Sequence, residues 1–183
     1  MNELYFNLLP DFIREPGSRD WNYLNSWGFR LITTYNPIGQ EYLHWREDKS
    51  LDLYSYLRSF DLIIAYNWND FDAKILHNFK NLNGFSVMQE VQKIVGHRLK
   101  LQTLAKANDI PCEGDLAEFL DKEPDLRSCG IFNMSKIQAL VKLMEKSVVD
   151  EYLYYFTPSE YSEKCRMDTK TWKKILDQRR MPF

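Results

Sequence analysis

The chain of 183 residues is short of everything that would staple or unusually bend a backbone. Its 3 cysteines, Cys112, Cys129 and Cys165, are odd in number and lack the C-x-x-C spacing of zinc and redox sites, which predicts reduced thiols and a cytoplasmic setting. With 7 glycines and 7 prolines, collagen-like, linker-rich and disordered architectures are excluded. No apolar run approaches the ~18–20 residues that cross a bilayer, and Glu3 without a basic leader argues against a secretory signal. No membrane partner is expected. Charge of one sign is also missing: the net value is −2, so no global field draws the chain to nucleic acid, and any such contact needs a local patch. Aromatic residues are what the chain has in surplus, at 15% with 5 Trp and 11 Tyr. They can fill a core, stack on bases or anchor a partner.

The length fits one domain, residues 1–157, followed by a basic helix or tail, 158–183. Leu4 to Leu9 reads as a strand stopped by Pro10, and Trp21, Leu24 and Trp27 recur near helical spacing. Phe29 to Tyr35 and Glu41 to Trp45 read as a hairpin around Asn36-Pro37-Ile38-Gly39. A short helix near Leu51–Arg58 precedes the continuous apolar run Leu62–Tyr66, as expected of a strand covered on both faces. Helices are predicted from Asn67 to Phe79, at Val87–Val95, Leu101–Asn108 and Leu116–Leu120, and from Ser135 to Phe156 with Thr157-Pro158 as its stop. The order predicts an α/β fold, a mixed sheet of antiparallel hairpin strands and a parallel strand, flanked by helices.

Four segments carry a resemblance: the first strand, Trp21 to Tyr35, Asp61-Leu62-Ile63-Ile64-Ala65-Tyr66-Asn67 leading to Phe71-Asp72, and Gly96-His97-Arg98-Leu99 with Leu101, Leu104 and Ala105. In their order and separation they resemble a DEDD-type 3′–5′ exonuclease domain of the RNase H-like superfamily. The resemblance implies four carboxylates holding two Mg²⁺ or Mn²⁺ ions about 4 Å apart, which activate water against a phosphodiester. Laid on this chain, the Asp and Glu of the first strand fall on Asn7 and Leu9, the junction Asp on Asp72, and the last-helix Asp on Ser147. Neither branch of the family finds its acid/base partner, because Lys142 and Leu143 stand where a histidine or tyrosine would. One carboxylate cannot offset two divalent ions, so no cofactor is expected and the chain reads as a pseudoenzyme, with Asp72 as metal ligand if any.

Asp72 also suits a helix start without any metal. Asp11, Asp70 and Asp150 are the candidates for a displaced carboxylate. His97, Arg98 and Lys100, with Lys173, Lys174, Arg179 and Arg180 in the tail, are candidate phosphate contacts, against a plain solvated surface. Tyr152, Tyr154, Tyr155 and Phe156 cannot all face one core from a helix, so some should face a partner or a terminal segment. Three functions follow: an inactive exonuclease-fold subunit of a nucleic-acid-processing assembly, binding DNA, RNA or a protein partner; an active metal-dependent exonuclease with displaced carboxylates; or a pure protein-interaction subunit.

Overall fold

The computed structural model describes residues 2–11, 27–79, 81–157 and 163–180. Five strands, β1 (Glu3–Asp11), β2 (Gly28–Asn36), β3 (Glu41–Trp45), β4 (Leu62–Ala65) and β5 (Gly84–Ser86), form one sheet in the order β3-β2-β1-β4-β5. β1 runs antiparallel to β2 and parallel to β4, and β4 runs parallel to β5. The sheet is therefore mixed, as the sequence order implies. Alternation along β1 sends Leu4, Phe6 and Leu8 to one face and Tyr5, Asn7 and Leu9 to the other. The first set packs with Leu53 and Leu57 of α1 (Ser50–Leu57) and with Trp68 and Phe71. Tyr5 joins Val87 and Val91 of α3 (Val87–Val95), Leu104 of α4 (Leu101–Ala107) and Leu140 and Leu143 of α6 (Leu126–Val149). The sheet is thus covered on both faces, which is why its central strands read as unbroken apolar runs.

Several elements differ from the sequence reading. Pro10 does not stop β1, because the register to β2 shifts between Leu9 and Pro10, and an irregularity of that kind tolerates a residue without an N–H. The Asn67–Phe79 helix shrinks to a π-helical turn, Trp68–Asp72, and a short α2, Ala73–Ile75. The three-residue β5 gave no apolar alternation long enough to be seen. The last long helix starts at Leu126, where Asp125 caps it by accepting from Ser128 N at 2.7 Å, and ends at Val149 rather than Phe156. Glu151, at φ 57°, turns the chain into strand β6 (Tyr152–Phe156), which pairs antiparallel with β7 (Lys164–Asp168) before α7 (Lys170–Arg180). Met167 and Leu176 from these last elements sit in the same core cluster as Tyr5 and Leu140. The expected helix around Trp21 and Leu24 and the stop at Pro158 lie outside the described residues. No helix is long and apolar enough to cross a membrane, among the described residues.

Candidate functional site

β4 pairs with β1 only along Glu3–Phe6, so beyond Phe6 the two chains part. β1 continues beside β2, while Tyr66 and Asn67 leave the sheet for the π-helical turn. The parting opens a cavity of ≈ 580 Å³ at the carboxyl ends of β1 and β4. Open α/β sheets place ligands in such crevices, where the chain runs away in two directions. Leu8, Phe71, Met88, Leu99 and Phe132 supply apolar walls; Asn7, Asn67, Asp72 and Lys136 supply polar groups. Asn67 Oδ1 is buried without a hydrogen-bond partner.

Asp72 ends the π-helical turn, 5% exposed, and burial alone pushes its carboxyl well above the usual carboxylate range. It therefore holds a proton where surface aspartates have lost theirs. Two other acids near the cavity are tied to cations. Asp70 accepts from Arg98 at 2.6 Å, and Asp115, the N-cap of α5 (Leu116–Leu120), accepts from Lys100 at 2.5 Å. The Lys100 hydrogen bond holds the Asp115 carboxyl below its ordinary range.

From α6, Lys136, 6% exposed, lines the same cavity. Its ammonium donates to the carbonyls of Glu113 and Gly114 at 2.5 and 2.6 Å and lies 4.7 Å from the Phe132 ring centre. Burial lowers its pKa, while the neighbouring Cys112 thiol and the Asp115 and Glu113 carboxylates oppose that shift. One turn earlier on α6 lies Asn133, wholly buried, accepting from Asn7 Nδ2 at 2.6 Å and donating to Thr33 Oγ1 at 3.1 Å and the Leu31 carbonyl at 3.3 Å. Thr33 Oγ1 continues the chain to His44 Nδ1 at 2.9 Å.

The structure brings Asn7 and Asp72 to one cavity and keeps Leu9 and Ser147 out of it. Leu9 is fully buried among Leu31, Cys129 and Phe132. Ser147 lies eleven residues beyond Lys136, about 16 Å along α6, where its hydroxyl donates to the Met144 carbonyl and its own carbonyl accepts from Thr169. Asp150, the C-cap of α6, is bound to Lys146, and Asp11 ends β1 opposite Gly28. Among the described residues no three His, Cys, Asp or Glu side chains gather as a metal-binding group. Asp72 alone of the four implied ligands reaches the cavity as a carboxyl, so these residues do not fit a pair of divalent ions.

Arg98 and Lys100 stand on a ridge that also borders a second, wider recess of ≈ 1220 Å³, shared with His97, Lys106 and Phe156. His97 Nδ1 donates to the Val95 carbonyl at 3.1 Å, leaving Nε2 a buried acceptor without a partner. Lys173 and Lys174 lie on α7 and line neither cavity; the side chains of Arg179 and Arg180 lie outside the described part. Sequence reasoning missed Asn133 and Lys136, although a signal was available. Cys129, Phe132, Asn133, Lys136, Ile137 and Leu140 form one helical stripe, and an amide and an ammonium inside an apolar stripe need specific partners. No family model and no curated protein matches the chain.

Proposed function

We propose that the chain is a catalytically inert, RNase H-like module that binds nucleic acid within a larger nucleic-acid-processing assembly. The carrying observation is the cavity where β1 and β4 part: of the four implied ligands Asp72 alone brings a carboxyl there, the lining Asp115 is paired with Lys100, and Lys136 lines the same cavity. A metal-dependent nuclease needs the reverse, several ionised carboxylates converging on cations. Three antiparallel strands followed by parallel crossovers support the RNase H-like reading of the sheet.

Nucleic-acid contact rests on the ridge. The side chains of Arg98 and Lys100 are 59% and 69% exposed, and ion pairs at such exposure contribute about 0–1 kcal/mol. Asp70 and Asp115 hold the two cations in place at little energy, and a phosphate can exchange for them at little cost. A fold of this class does not by itself carry the activity, so loss of the ligand set leaves a scaffold for binding.

The test is a nuclease assay with Mg²⁺ and Mn²⁺ on single- and double-stranded substrates, run beside oligonucleotide binding at low and high salt. The expected result is binding that weakens steeply with salt and no metal-dependent degradation. Degradation abolished by Asp72→Ala would establish an active exonuclease instead. Absence of any salt-sensitive binding would leave a pure protein-interaction subunit.

A further inference from the structure

β6 and β7 form a two-stranded ribbon with two unlike faces. Leu153 and Met167 are buried on the inner face, and Tyr155 packs there beside them. On the outer face the pairing Tyr152↔Asp168, Tyr154↔Arg166 and Phe156↔Lys164 brings three aromatic and two basic side chains together. Tyr152 and Tyr154 meet edge to face, with ring centres 5.4 Å apart. Arg166 lies 4.2 Å from the centre of the Tyr152 ring, and Lys164 4.8 Å from that of Tyr154. The two cations are thus held diagonally across the ribbon on aromatic surfaces, where the ring quadrupole retains them. The Asp168 carboxylate, at the far end of the face, is engaged by Lys170 N at 2.8 Å. Phe156 and Thr157 also line the recess that contains His97, Arg98, Lys100 and Lys106, together with Asp109, which lies 3.6 Å from Lys164, so the outer face adjoins the basic ridge.

We propose that this outer face is a stacking platform for single-stranded nucleic acid, delivering the strand to the Arg98–Lys100 ridge. The inference rests on the nucleic-acid reading above and adds a surface to it. Same-face residues in a strand repeat every ~6.8 Å, about twice the 3.4 Å spacing of bases along one strand of a duplex. In a duplex the base faces are already covered by their stacked neighbours, whereas an unpaired strand can splay its bases between successive side chains. The planar Arg166 guanidinium offers both a stacking surface and phosphate donors, and Lys164, held over Tyr154, a compact point charge. DNA and RNA share the bases and phosphates this face would recognise.

The experiment is fluorescence anisotropy of the full chain with labelled oligo-dT and oligo-U of about 12 nucleotides, a length suited to one such platform, and with the corresponding DNA duplex. Expected are tighter binding of single strands than of duplex, a roughly ten-fold loss for Tyr154→Ala, and a shallower salt slope for Arg166→Gln. Tyr154→Phe keeps the ring and should retain binding, which separates stacking from damage to the ribbon. Equal affinity of oligo-dT and oligo-U assigns recognition to bases and phosphates, whereas tighter binding of oligo-U assigns part of it to the 2′-hydroxyl; either outcome supports the platform. If the wild-type chain binds single strands and Tyr154→Ala and Arg166→Gln bind them equally well, the platform is wrong while the ridge reading stands. If the wild-type chain binds no oligonucleotide at all, both fall together.

Discussion

At the scale of single residues, the protein buries two polar groups, one lining the cavity and one bonded to Asn7 in its wall. Asp72 is buried with a raised pKa, so the folded chain binds a proton that the unfolded chain releases near the ordinary aspartate value. Its contribution to stability is complete below about pH 4 and is lost as pH rises through the folded-state value. Asp72→Asn keeps the shape of the neutral acid and cannot ionise. Thermal melts should therefore coincide with wild type near pH 4, while at pH 8 Asp72→Asn melts several degrees higher, each kcal/mol appearing as about 2–4 °C. A lower melting temperature at pH 8 would show that the carboxylate is ionised and held by something else. Asn133 is the second group. Asn133→Leu leaves Asn7 Nδ2 and Thr33 Oγ1 without their buried partner, a loss of about 2–3 kcal/mol, and should move the urea midpoint down without changing the slope.

At the scale of elements, β5 and the π-helical turn are fitted to one another through a glycine. A Cβ on Gly84 would lie 1.8 Å from Trp68 Nε1, so the indole rests directly on the β5 backbone. Gly84→Ala must displace Trp68 from the cluster of Leu4, Phe6 and Ile63, an overpacking cost of about 1–3 kcal/mol that equilibrium unfolding would measure. Trp68→Phe in the same chain should recover part of it. This contact also shows where the sequence was legible and where it was not. Long elements with one dominant period, β1, β2, α3 and α4, announced themselves through apolar spacing. Tyr152 to Phe156 did not, because five aromatic and aliphatic residues satisfy a helix or a strand equally until the turn at Glu151 decides. At the cavity, Asn7 and Asp72 were reached through the resemblance, which places one in the first strand and the other just after the apolar run Leu62–Tyr66. Ser147, placed by the same resemblance, does not line the cavity; which part of a helix 24 residues long meets it depends on where the helix begins, and the start at Leu126 follows from a cap rather than from periodicity. Lys136 reaches the cavity from that corrected register.

At the scale of the whole molecule, the division between a domain and a tail near residue 157 meets a core that crosses it. Leu153 before that point is fully buried, and Met167 and Leu176 after it are 2% and 3% exposed within the same cluster. Asn108 adds a further tie, donating to the Tyr154 carbonyl and accepting from Tyr154 N, at 2.8 and 2.9 Å, so that the end of α4 grips the free edge of β6. Removing residues 158–183 would strip β6 of its strand partner and delete the buried apolar side chains of Met167 and Leu176, worth about 1.5–3 kcal/mol each. A chain ending at residue 157 should melt about 10–20 °C below the intact protein, or lose its cooperative transition, as followed by circular dichroism. Were it to melt with an unchanged midpoint, the last two elements would be an independent appendage. The ribbon would then be a platform mounted beside the sheet. With the midpoint lowered, the ribbon is part of the same folding unit as the sheet, and an occupied ribbon should in turn stabilise the cavity where β1 and β4 part.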